Sequence, residues 1–184
     1  LHSFPTRRSS DLVVNRLNMQ TENVQGGLNA TNLFERLCRC VTSEYLGRHC
    51  KCEVFGTSVN SSFEIKVNDI LRKMDFPGHF EEPFGGTGRH KDGGIDIIAW
   101  IPFEDKKDSQ LIALGQCKTG SNWEPLLKKT DFFSTYTTYT PYVNPIYFFF
   151  VTEDFGKYKW KERSTAAGVL FDRRRIIECI PADI

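Results

Sequence analysis

Six consecutive apolar residues, Ile146–Val151, form the longest apolar run of this 184-residue chain. A strand with one face in water alternates apolar and polar residues, so an unbroken run indicates a strand that is covered on both faces. The run is far shorter than the roughly 18–20 apolar residues that a membrane-spanning helix needs. It therefore predicts an internal strand of a layered sheet, and no membrane is expected as a partner.

Helical and strand patterns alternate through the rest of the chain, which predicts an α/β fold with a mixed central sheet flanked by helices. The predicted elements are helices at 29–49 and 62–74, a short strand at 80–84, a hairpin of strands at 95–101 and 110–118, a helix from about 123, a strand at 146–152, a helix at 158–167, and strands at 169–171 and 176–180.

Two of the helices have specific signals. Residues four apart in the first helix predict one buried stripe, formed by Leu33, Leu37, Val41 and Tyr45. Ser61 and Glu64 have the spacing of a capping box, which predicts where the second helix begins. The residues expected on its buried face are Phe63, Val67, Ile70, Leu71 and Met74.

Composition narrows the class of protein further. Aromatic residues make up 13% of the chain, which is enough apolar surface to exclude a disordered protein, and the 24 basic and 23 acidic residues exclude a polycation. Residues 1–12 resemble the translation of a sequencing-library adapter, and residues 13–28 are polar with a glycine pair at 26–27. Residues 1–28 are therefore expected to be an artefactual or disordered leader. We expect residues 29–60 to form an N-terminal helix and a connection, and residues 61–184 to form the functional domain.

The chain has six cysteines and no apparent secretion signal, so free thiols and a cytoplasmic location are expected. Cys38 and Cys40, together with Cys50, Cys52 and the neighbouring His49, leave a zinc-stabilised interaction domain as an alternative. The Cys-x-Cys spacing is poor for zinc, for which two to four residues usually separate paired ligands. Small apolar filling of a helix surface is therefore the favoured interpretation of Cys38 and Cys40.

Polar residues with catalytic potential interrupt the two apolar strands of the predicted hairpin. Asp96 lies at the start of the first strand, and Gln116 and Lys118 lie two residues apart, on one face, at the end of the second. In an antiparallel hairpin these two ends meet at the same edge of the sheet. A carboxylate and an amide oxygen suit Mg²⁺ or Mn²⁺, and a lysine next to them suits a phosphodiester substrate.

These residues also carry a resemblance to a known family. Lys91-Asp92-Gly93-Gly94-Ile95-Asp96-Ile97-Ile98-Ala99 followed by Gly115-Gln116-Cys117-Lys118 resembles the PD-(D/E)xK nuclease superfamily, in particular its Mrr-like restriction endonuclease branch. The resemblance implies a restriction-endonuclease-like core and metal-dependent hydrolysis of DNA, in prokaryotic restriction or defence. It implies Asp96 and Gln116 as metal ligands, Lys118 as the catalytic lysine, and Glu64 as the helix acid that often completes such sites.

Charge distribution points to surfaces for the DNA partner. Arg173, Arg174 and Arg175 lie in a basic stretch near the end of the chain, and a second candidate surface is the loop with Arg89, His90 and Lys91. Cleavage of both strands would favour a homodimer. A nucleic-acid-binding module of the same fold without cleavage stays open as an alternative, because Gln116 stands where the family commonly has an acid.

Overall fold

The computed structural model describes residues 24–25, 28–56, 62–84, 93–120 and 122–180. Its helices are α1 (Ala30–Leu46), α2 (Phe63–Lys73), α3 (Phe132–Tyr136), α4 (Trp160–Ala167) and α5 (Arg173–Glu178), with a 3₁₀ turn at Glu124–Leu126. Its strands are β1 (Val24–Gln25), β2 (Leu28–Asn29), β3 (Lys51–Val54), β4 (Ile97–Ile101), β5 (Leu111–Lys118), β6 (Ile146–Val151) and β7 (Val169–Phe171).

Strands β3 to β7 form a five-stranded mixed sheet in chain order. The strand β4 is antiparallel to both of its neighbours, β3 and β5, whereas β5, β6 and β7 run parallel to one another. The carboxyl ends of these parallel strands therefore share one edge with the start of β4. We call this edge of the sheet the carboxyl edge.

Helices cover both faces of the sheet, which confirms the predicted α/β class. On one face, Phe34, Cys38 and Val41 of α1 and Ile176 of α5 pack in a single apolar cluster with the strands. The other face is covered by apolar residues of α2 and α3, and farther along by Trp123 and α4. The strand β6 has Phe148 and Phe150 on the first face and Phe149 and Val151 on the second, so it is buried on both sides as its apolar run predicts.

The buried stripe of α1 differs from the predicted one. Leu33 and Tyr45 are 51% and 53% exposed, whereas Phe34, Cys38 and Val41 are buried. A strict series of residues four apart rotates by about 40° around a helix at each step, so it leaves the buried face after two steps. Mixed steps of three and four residues stay on one face, and these connect the residues that are buried.

The start of α2 lies one residue later than the capping box predicts. Ser62 is the N-cap, and its hydroxyl oxygen accepts a hydrogen bond from the backbone N–H of Ile65 at 3.3 Å. Glu64 lies in the first turn, where its negative charge favours the helix dipole. Ser61 itself lies outside the described residues, and the five apolar residues predicted for the buried face of α2 are all buried.

Three further predictions are wrong. Residues 176–180 are not a strand, because α5 covers most of them and begins at Asp172, whose carboxylate caps the N–H of Arg175 at 3.0 Å. The expected strand at 80–84 is reduced to one bridge between Phe80 and Thr137. The helix expected from residue 123 is a 3₁₀ turn followed by the separate short α3.

Residues 30–56 add α1 and the strand β3 to the same layers as the hairpin, and β3 was not anticipated. Of the residues expected to form a leader, 24–25 and 28 belong to a two-strand pairing of β1 with β2. Among the residues that the structure describes, no helix is both long enough and apolar enough to cross a lipid bilayer.

Candidate active site

Asp96 lies at the carboxyl edge, just before β4, and its backbone forms hydrogen bonds with the segments on both sides of it. Its backbone N–H donates to Gly115 O at 2.9 Å, and its backbone oxygen accepts from the N–H of Phe55 at 2.8 Å. Its carboxylate oxygen Oδ2 accepts from the backbone N–H of Cys117 at 2.7 Å, and the residue is 8% exposed. The side chain therefore bends toward the backbone of β5 and does not point straight out from one face of the sheet.

The approach to Asp96 requires glycine at positions 93 and 94. Both residues have left-handed backbone angles, with φ of 59° and 76°. A methyl group on Gly93 would also lie only 2.9 Å from a ring carbon of Tyr136. The glycine pair thus allows the chain to turn tightly under α3 and enter the sheet at Asp96.

Lys118 lies next to Asp96, as the hairpin predicts. Its ammonium nitrogen Nζ is 3.7 Å from Asp96 Oδ2, and its side chain is 29% exposed. The Asp96 side chain is 11% exposed. The pair is therefore sheltered on the aspartate side and open to solvent on the lysine side.

Gln116 lies two residues before Lys118 and is 5% exposed. Its amide nitrogen donates to the hydroxyl oxygen of Thr130 at 2.8 Å and to the backbone oxygen of Lys128 at 3.4 Å. These two bonds fix the plane of the amide and involve only its nitrogen. The amide oxygen, on the other branch of the group, is not engaged by either bond and is the atom that could bind a cation.

A second buried acid, Glu35 of α1, lies close to Asp96 and was missed by the sequence reasoning. Glu35 is 3% exposed. A methyl carbon built on Gly56 would lie 3.2 Å from Asp96 Oδ1 and 3.8 Å from Glu35 Oε1, so at most about 7 Å separates these two oxygens. The predicted helix acid, Glu64, is exposed on the first turn of α2. The structure thus places Glu35, an acid of α1, beside Asp96.

The negative charge of the two acids acts on two buried thiols nearby. Burial raises the pKa of Cys38, and the charges of Asp96 and Glu35 raise it further, against a hydrogen bond with Cys117 that lowers it. Burial likewise raises the pKa of Cys117 well above its usual value, helped by Cys38 and by the same two acids. Both thiols are therefore harder to deprotonate than an exposed cysteine.

The residues of the zinc alternative are not gathered into one cluster in the described part of the chain. Cys38 is buried in the sheet-facing cluster, and burial raises the pKa of Cys52 to about 12. Across the described ranges, no group of three or more His, Cys, Asp and Glu side chains is arranged to hold a metal ion. Asp96 and Glu35 bring two carboxylates close together, and Gln116, on the same strand as Lys118, carries an amide oxygen. Two acids and an amide form a hard oxygen set, which fits Mg²⁺ or Mn²⁺ with water completing the shell.

The predicted DNA-contacting residues have different surroundings. Arg89, His90 and Lys91 lie outside the described residues. In α5, the Arg174 side chain is 80% exposed and pairs with Asp154 at 2.9 Å. Arg175 donates to Leu170 O at 3.0 Å and its guanidinium lies 4.5 Å from the centre of the Trp160 ring, so it supports the fold. Arg173 is partly exposed.

Searches against protein-family models, curated proteins and solved structures return no match to this chain.

Proposed function

We propose that this chain is a Mg²⁺- or Mn²⁺-dependent endodeoxyribonuclease that hydrolyses phosphodiester bonds in DNA, with a restriction-endonuclease-like core and a role in restriction or defence. The observation that carries the proposal is the meeting of Asp96, Lys118 and the buried Glu35 at one edge of the sheet. Burying two acids together costs stability unless a cation or a proton compensates for their charge. The ammonium group of Lys118, 3.7 Å from Asp96, supplies part of this compensation, and a bound divalent cation would supply more.

The metal ion would be held by the carboxylates of Asp96 and Glu35 and by the amide oxygen of Gln116. When bound, a divalent ion polarises the phosphoryl group and lowers the pKa of a coordinated water. The hydrogen bonds from Gln116 to Thr130 and Lys128 orient the amide before any ligand arrives. The bond from Cys117 N–H to Asp96 likewise fixes one carboxylate oxygen and leaves the other facing the Glu35 side.

Lys118 supplies the mobile positive charge of the site. Its ammonium group can bind a non-bridging phosphate oxygen, orient the attacking water, and stabilise the charge that develops in the transition state. Its partial exposure places it between the buried acids and solvent, which is where a phosphodiester would arrive. A module that only bound DNA would have no need of a lysine paired with a sheltered acid at this position.

Incubation of supercoiled plasmid with the protein and Mg²⁺ or Mn²⁺, and with EDTA as a control, tests the proposal. The wild type is expected to nick or linearise the plasmid only when metal is present. Lys118→Met and Asp96→Asn keep the shape of each side chain and are expected to abolish cleavage. Lys107→Ala, which removes an 80% exposed lysine from the turn at the opposite edge, is the matched control and should cleave normally.

Two results would contradict the proposal. Nicking by Lys118→Met at the wild-type rate would remove Lys118 from the mechanism. Metal-independent binding of DNA by a wild type that cleaves no substrate under any of these conditions would favour the binding module instead.

A further inference from the structure

The basic residues between positions 157 and 175 fall into two groups. In the first group are two arginines that contact aromatic rings: Arg163 lies 5.2 and 4.4 Å from the ring centres of Trp123 and Phe155, and Arg175 lies over Trp160. The second group consists of three exposed lysines, Lys157, Lys159 and Lys161. None of these lysines pairs with a carboxylate in the described part of the chain.

Tyr158 stands among these lysines at the tip of a tight turn. The backbone N–H of Trp160 donates to Lys157 O at 3.1 Å, and Lys159 has a left-handed φ of 58°, so the turn is closed and sharply defined. Tyr158 is 81% exposed, whereas the flanking Phe155 and Trp160 rings pack together at 5.4 Å. The turn therefore exposes one aromatic ring to solvent, while the residues on either side of it are held by packing. We call residues 156–161 the tyrosine turn.

The tyrosine turn leaves the sheet at the same edge as the candidate active site. Val151, the last residue of β6, pairs in register with Lys118. The segments that follow Lys118 and Val151 also contact each other. Trp123 Nε1 donates a hydrogen bond to Glu153 at 3.0 Å, and the Trp123 ring stacks on Phe155 at 5.3 Å. The segment that leads to the tyrosine turn therefore starts beside Lys118.

We propose that the tyrosine turn binds single-stranded DNA, with a base stacked on Tyr158 and backbone phosphates held by Lys157, Lys159 and Lys161. An exposed aromatic ring between flexible cations is the combination that binds unpaired bases, because stacking needs a free base face and the lysines neutralise phosphates. The bases of an intact duplex are already stacked on each other, so duplex DNA gains nothing from the ring. The inference rests on the proposed nuclease function and assigns unpaired strands or unpaired regions as the substrate presented to Lys118.

Binding is measured without metal, so that it is independent of cleavage. Fluorescence anisotropy in EDTA would follow a labelled single strand of about 15 thymidines, and Tyr158→Ala is expected to weaken its binding about tenfold, the size of one stacking contact. Tyr158→Phe keeps the ring and should bind like the wild type. Replacing the three lysines with alanine should make the slope of log affinity against log salt shallower by about 2, since each phosphate contact on a single strand contributes about 0.7.

Two variants serve as matched controls. Tyr142→Ala removes another exposed tyrosine, 72% exposed, from the loop that precedes β6 at the opposite edge of the sheet, and should bind the single strand normally. A blunt duplex should bind Tyr158→Ala and the wild type equally. Because Tyr158 is exposed, the melting temperature of Tyr158→Ala should equal that of the wild type.

The outcomes are distinguishable from those of the cleavage test. Wild-type affinity of Tyr158→Ala for the single strand, or an equal loss for single strand and duplex, would overturn the assignment of the tyrosine turn. Selective loss for the single strand would support it even if the plasmid assay detected no cleavage, in which case the nuclease proposal alone would fail.

Discussion

Replacing Glu35 with glutamine should make the metal-free protein more stable, which is the reverse of what most substitutions of buried residues do. Glu35 and Asp96 are both buried, and their facing oxygens are at most about 7 Å apart. Two negative charges at this separation repel each other. The substitution Glu35→Gln removes one charge and keeps the shape of the side chain.

The magnitude follows from the separation. At about 7 Å and an effective dielectric constant of about 20, two unit charges repel by about 2 kcal/mol. The ammonium group of Lys118, 3.7 Å from Asp96, offsets part of this repulsion. We therefore expect Glu35→Gln to raise the free energy of unfolding by about 1–2 kcal/mol in EDTA, which corresponds to a rise in melting temperature of about 2–8 °C for a domain of this size.

Thermal unfolding with and without Mg²⁺ measures both halves of the prediction. Added Mg²⁺ should raise the melting temperature of the wild type, because a ligand that binds only the folded state stabilises it, and should raise that of Glu35→Gln much less. Glu44→Gln, at an exposed position on the same helix, should change neither value. A Glu35→Gln protein that melts below the wild type in EDTA and keeps the full response to Mg²⁺ would refute the reasoning.

Two further predictions concern the supports of the site. Gln116→Glu should cleave plasmid more slowly than the wild type. A carboxylate oxygen would face the Lys128 carbonyl oxygen to which the amide now donates, and the two oxygens would repel each other. A nicking rate at or above that of the wild type would contradict this. Arg175→Ala should lower the melting temperature, because it removes a hydrogen bond to Leu170 O and the contact with Trp160. Arg174→Ala should leave the melting temperature nearly unchanged, because the Arg174 side chain is 80% exposed. Equal effects of the two substitutions would contradict this difference.

The part of the site on the β4–β5 hairpin could be predicted from the sequence. Two apolar strands joined by a polar turn have one probable pairing, and antiparallel pairing brings the start of one strand to the end of the other. Asp96 and Lys118 are consequently near each other in the structure, as expected. The approximate positions of α2, β6, α4 and β7 were predictable for the same kind of reason, because each has a strong local pattern.

The remaining part depends on packing that no local pattern specifies. Which side of α1 faces the sheet is decided by the strands that it covers, and the four-residue series from Leu33 to Tyr45 gave the wrong side. With the correct side, Glu35 lies next to the buried Phe34 and above the sheet. An acid beside an apolar stripe is a weak signal, although it is the one that could have found this residue.

The α5 helix shows the opposite situation, in which a local signal was present and outweighed. Asp172 before three arginines is a good N-cap, whereas the apolar pair Ile176 and Ile177 favoured a strand. In the structure Ile176 is buried against the sheet and Ile177 is 48% exposed, which suits a helix with one covered side.

The residues of the candidate site come from two separate parts of the chain, and this should affect the order in which the chain folds. Asp96, Gln116 and Lys118 belong to one hairpin, whose contacts are close in sequence, whereas Glu35 comes from a helix about sixty residues earlier. Local contacts form sooner than distant ones, because closing a long loop costs more chain entropy. The hairpin should therefore assemble first, and the acid pair should be completed only when α1 docks. If both acids hold a divalent ion, binding of that ion would be completed only after α1 has docked, and it would slow the detachment of α1 from the sheet.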